Sequence, residues 1–179
     1  MNSVRHTFPV LFCLLGTSVL FAQSDGVAPR WDVKEQLGRL VEQTKEYDPL
    51  LGQVSPHEWM EQGAPDGYVK QLELLRNEIS YLQRSALELQ RKPDRLSKTL
   101  EVFLRIQSVE AMVGSMTEAV SRYQNPALAD LLQSVTNDVA VHSQHLRDYL
   151  VELVNIKESE FAIADQEAQR CRSQLIQGP

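Results

Sequence analysis

Cysteine is almost missing from this chain of 179 residues: there are two, Cys13 and Cys171. No Cys-x-x-Cys-His run for covalent haem is present, and two sulfurs cannot build a disulfide framework or a thiolate zinc cluster. Cations are also short, 18 Lys and Arg against 24 Asp and Glu, for a formal charge of −6. That balance argues against nucleic acid, whose binding rests on neutralising phosphates, and against docking on anionic lipid. Valine, isoleucine and threonine never alternate at period two over a useful length, so strands are not expected. There is no Gly-x-x-x-x-Gly-Lys for phosphates, no Gly-x-Ser-x-Gly for an acyl nucleophile, no His-Glu-x-x-His for a zinc hydrolase, and no Asn-x-Ser/Thr.

What is present begins at the N-terminus. Arg5 and His6 precede an almost unbroken apolar run, Phe8–Phe21, and Ala22 supplies a small residue for a peptidase. The run is about 14 residues, too short to cross a bilayer of roughly 30 Å as a helix. It reads as a signal peptide over residues 1–22, cleaved near Ala22, and so as a secreted or periplasmic protein. Val10, Leu11 and Phe12 before Cys13 lack the small residue of a lipoprotein processing site. Arg5 is the only Lys or Arg lost with this segment and no acid goes with it, leaving 17 cations against 24 acids, or −7. Cys171 is then the sole thiol, which leaves either an intermolecular disulfide or an unpaired surface thiol at the helix end.

Residues 23–31 have no periodicity and read as a flexible leader. Residues 32–177 read as one domain, a size that buries enough surface for a core without staples. Asp32 as N-cap with Glu35 three residues on suggests a capping box. Val33, Leu37, Leu40, Val41, Thr44 and Tyr47 then share one helical face, and Asp48-Pro49 closes this first helix near residue 47. Residues 48–67 hold three prolines and three glycines and read as an irregular loop. Inside it, Ser55-Pro56-His57-Glu58 predicts a one- or two-turn helix carrying Trp59 and Met60 and stopped by Gly63.

Three long helices follow. Tyr68, Leu72, Leu75, Ile79, Leu82, Ala86 and Leu89 recur in steps of four and three, the heptad spacing that keeps apolar residues against a partner helix. Lys92-Pro93-Asp94 breaks the pattern. It resumes as Val102, Ile106, Val109, Val113, Met116, Val120 and Tyr123, widened by Leu100, Phe103, Leu104 and Met112, with a kink expected at Gly114-Ser115. Asn125-Pro126 provides an N-cap and a proline at the first helical position. The last seam runs Leu128, Leu132, Val135, Val139, His142, Leu146, Tyr149, Leu153 and Ile156, then weakens with no breaker before Gly178. The fold class is all-α: an up-and-down antiparallel helical bundle of three long, heptad-patterned helices plus a shorter first helix. The last helix should overrun its neighbours by about 10–15 residues.

Candidate chemistry is sparse. His142 and His145 at i, i+3 have the spacing to share a transition metal, with Gln107 and Glu110 as expected neighbours across the bundle. His57, Glu58 and Asp66 in the loop are the only other cluster suggesting catalysis, and no nucleophile or paired base accompanies them. No cofactor is implied. The expected function is therefore non-enzymatic: an exported scaffold, adaptor or chaperone-like protein acting by protein–protein interaction. The partner is an unidentified protein, and shared seams or Cys171 also allow a homodimer. Expected contact residues are Trp59 and Met60 in the loop and Phe161, Ile163, Leu175 and Ile176 on the overrun. The alternative is a metal- or small-molecule-binding bundle built on His142 and His145, with the 48–67 loop as lid.

Overall fold

The computed structural model describes residues 30–176, with side chains from Asp32 onward. The signal segment 1–22 and the leader up to 29 lie outside the described residues. Among the described residues the chain is all-α, with no strand. Its elements are α1 (Arg30–Lys45), α2 (Tyr47–Leu51), α3 (Pro56–Met60), α4 (Gly67–Arg91), α5 (Leu96–Tyr123) and α6 (Pro126–Ile176). None of these helices is long and apolar enough to cross a membrane.

The apolar seams are the buried faces. Every seam position from Leu72 to Leu89, from Val102 to Val120 and from Leu128 to Leu153 is buried, as is the whole α1 face from Val33 to Thr44. Tyr68 and Tyr123 are partly buried at the ends of their seams. The wider stripe on α5 divides: Phe103 and Met112 pack against the core, while Leu100 and Leu104 face out. α5 packs on both α4 and α6, and α1 packs on α4 and α6 from the other side.

Hydrogen bonds tie the two ends. At one, Tyr149 Oη donates to the Pro93 carbonyl (2.9 Å), and Gln90 Nε2 donates to the Lys34 carbonyl (2.8 Å). At the other, Tyr47 Oη donates to Thr136 Oγ1 (3.1 Å), and Trp59, Tyr68 and Tyr123 pack ring against ring at 5.7–6.2 Å. Between α4 and α5, Arg105 bridges Glu78 (3.0 Å) and Glu101 (3.4 Å), and Lys98 bridges Glu88 (3.1 Å) and Glu101 (2.9 Å).

Three local expectations are corrected. α1 starts at Arg30, so Asp32 sits inside the first turn and is no N-cap. Its acid still favours the positive end of the helix dipole, while Glu35 pairs forward with Arg39 instead of back. Pro49 does not close α1. The break falls at Glu46, and Pro49 becomes the third residue of α2, where a missing N–H costs no helical hydrogen bond. Residues 48–67 are then mostly two short helices and tight turns rather than irregular loop. α5 is one continuous helix through Gly114-Ser115.

Two predicted terminators form as expected. Gly63 has φ +87°, with Gly63 N–H bonded to the Met60 carbonyl (3.0 Å) and Ala64 N–H to the Trp59 carbonyl (3.0 Å). This is a Schellman end, and it needs a residue tolerant of positive φ. Asn125 Oδ1 accepts the Ala127 N–H (2.9 Å), capping α6 with Pro126 at its first position.

Candidate functional site

α6 has 51 residues, about 75 Å at 1.5 Å per residue. Its neighbours stop near the Pro93 turn, which the Tyr149 hydrogen bond fixes against the middle of α6. Leu153 is the last buried residue of the helix. From residue 158 to 176 every position is exposed while the backbone stays helical. The exposed span falls within the segment expected to overrun, roughly Lys157–Gln177. Local ion pairs support it, Lys157 with Glu160 (2.7 Å) and Arg170 with Glu167 (3.1 Å); such pairs add about 0.2–0.5 kcal/mol each.

Among the described residues, this extension carries large apolar side chains that are not covered. Phe161, Ile163, Leu175 and Ile176 are 63–84% exposed, and Cys171 is an exposed free thiol. Lone exposed apolar residues are ordinary on protein surfaces, whereas here several share one helical span that packs on no other described element.

The other expected contact residues separate. Trp59 is only 1% exposed, so its place as a partner contact is corrected: it is core. Its indole N–H donates to Gln124 Oε1 (3.2 Å), which also accepts the Ser55 N–H (3.1 Å), while Gln124 Nε2 donates to the Gln53 carbonyl (2.6 Å). Sequence reading missed Gln124, because a glutamine ahead of Asn-Pro carries no signal of its three partners 65–71 residues away. Met60 stays exposed at that end. His57, Glu58 and Asp66 are exposed on the surface beside it.

The histidine pair is split by burial. His142 is 7% exposed and His145 is exposed. His142 Nε2 hydrogen-bonds Gln43 Oε1 of α1, which replaces the expected Gln107 and Glu110 surroundings, because α1 is what closes that side of α6. The amide oxygen only accepts, so Nε2 carries the proton and Nδ1 is the bare nitrogen; Nδ1 is buried without a hydrogen bond. Burial, helped by the charges of His145 and Arg39 and opposed by Asp138, pushes His142 below the usual imidazole range. Among the described residues no three His, Cys, Asp or Glu side chains are placed to hold a metal ion. A half-open, largely apolar groove of about 240 Å³ does lie here, between Val33 and Leu37 of α1 and His142, Leu146 and Tyr149 of α6. The 48–67 segment is not its lid, since Ser55 and Trp59 are fixed to Gln124 at the opposite end.

One more ionisable group faces inward. Glu110 Oε1 is buried without a partner, and burial raises its carboxyl above the usual range. Its charge and that of Asp138 bear on Tyr47, whose phenol is pushed up to about 12, mainly by burial.

No protein-family model, no curated protein and no solved structure matches this chain.

Proposed function

We propose that this protein is an exported, non-enzymatic helical bundle that acts by binding another protein through the free end of α6. In this reading α1, α4, α5 and α6 form an up-and-down antiparallel bundle closed by α1, and the bundle is a base that holds the extension away from itself. The observation that supports it is the exposed helical span from 158 to 176 with Phe161, Ile163, Leu175 and Ile176 uncovered. A bare helix of this length gains nothing from a core, and most helical stability in proteins comes from packing an apolar face. Phe161→Ala with Ile163→Ala is the test, using exported protein recovered from its source with its bound partners cross-linked. The set of cross-linked partners shrinks in the double variant if the reading holds. An unchanged set overturns it. N-terminal sequencing of the same material reads the export step, with Gln23 expected as the first residue.

The groove between α1 and α6 favours a second reading, a small-molecule-binding bundle. Its apolar walls and the neutral imidazole of His142 suit a small, mostly apolar ligand rather than a metal ion. A panel of small aromatic ligands that leaves the His142 ring signals unshifted in an NMR titration removes this reading.

A further inference from the structure

The bundle seam of α6 ends at Leu153, but an apolar stripe continues beyond it, one residue around the helix. Phe161, Ala164, Ala168, Cys171 and Leu175 recur in steps of three and four, a coiled-coil spacing, and all are exposed. Charge along the same span is lopsided. Glu158, Glu160, Asp165 and Glu167 crowd its first half, and Arg170 and Arg172 its second half, which holds no acid.

We propose that the α6 extensions of two copies of this chain pair with each other in antiparallel fashion along this stripe. This rests on the reading of the extension as a protein-binding element and names its partner. Charge complementarity selects the occupant and the direction. Antiparallel pairing sets the acidic half of each helix beside the basic tip of the other. With Ala168 of one copy opposite Cys171 of the second, Ala164 lies opposite Leu175, so a close layer of two small side chains is flanked by layers in which small faces large. On the flank, Asp165 of each copy meets Arg172 of the other, twice by symmetry. Parallel pairing instead sets Glu160 of one helix beside Asp165 of the other, a repulsion that offsets the attraction it allows between Glu167 and Arg172. Length also fits. In the antiparallel register Ile176 of each copy lies level with Ile163 of the other, about ten residues beyond Leu153, so the two bundles stay apart. No disulfide is needed, because Cys171 faces alanine.

Sedimentation equilibrium of the isolated protein over a rising concentration series, with reductant present, tests this. The mass is expected to climb from one chain toward two. Asp165→Arg alone and Arg172→Glu alone each weaken association about tenfold by turning two attractions into repulsions. The Asp165→Arg, Arg172→Glu double variant regains it. Both positions are fully exposed and outside the bundle, and matched thermal melts confirm that the fold is intact. A mass of one chain at every concentration overturns the pairing, as does dimer formation that vanishes with reductant. A dimer that Asp165→Arg strengthens and the double variant does not restore means parallel pairing, and also overturns it. If self-association is absent but the cross-linked set still depends on Phe161 and Ile163, only this inference fails. If neither responds, the protein-binding reading fails with it.

Discussion

Single side chains decide how this molecule is held at its ends. Gln124 is the clearest case, since one amide satisfies a buried indole N–H, a backbone N–H and a backbone carbonyl. Gln124→Ala is expected to cost about 2 kcal/mol in urea unfolding, because a hydrogen bond contributes about 1 kcal/mol and an orphaned buried donor costs more. Glu110 works the other way. Its folded-state carboxyl is raised by burial, so the folded chain holds its proton to higher pH than the unfolded chain does. Stability from this group is therefore present at low pH and is lost as pH rises through the raised value. Glu110→Gln should stabilise the protein at neutral pH by about 1 kcal/mol and have no effect well below pH 4, read from melts across that range. The role of Gln124 was not legible from the sequence, where it looks like an ordinary polar residue. Glu110 could be placed near the last helix but not seen to lack a partner, and Trp59 could be read either as a lid on the core or as a contact residue, because its burial depends on chain far from it.

At the scale of elements the sequence was more informative, because helix periodicity is a local property. The four apolar faces, the break at Pro93, the Asn125-Pro126 start and the Gly63 stop are all visible in the residues themselves. The misreadings were of termini. Asp32-x-x-Glu35 and Asp48-Pro49 have the composition of caps, yet backbone geometry decides whether a residue is outside a helix or within its first turn. Gly114 lies in the middle of α5 instead. Continuous helix runs through it, and a Cβ added there meets nothing within 4 Å. Gly114→Ala should therefore raise stability by about 0.5–1 kcal/mol through helix propensity alone, with a melting temperature higher by about 1–4 °C. A lower melting temperature would mean that this glycine is packed more closely than its open surroundings allow.

On the scale of the whole molecule, α6 belongs to two regimes. Up to Leu153 it shares the buried core, and beyond about residue 157 it contributes no burial to it. Removing residues 158–179 is accordingly expected to shift the melting temperature of dilute protein by less than about 2 °C, since the hydrophobic contribution follows apolar area removed from water. A large drop would show that the extension folds back on the bundle. The sequence by itself determined the helical class, the spacing of the buried faces and the length of the last helix, because period and chain length are written residue by residue. Only the tertiary structure decided that α1 fills the side of α6 at His142 and that Trp59 is core. Those outcomes depend on which helices meet and where each one stops relative to the others, and no local stretch of sequence contains that comparison.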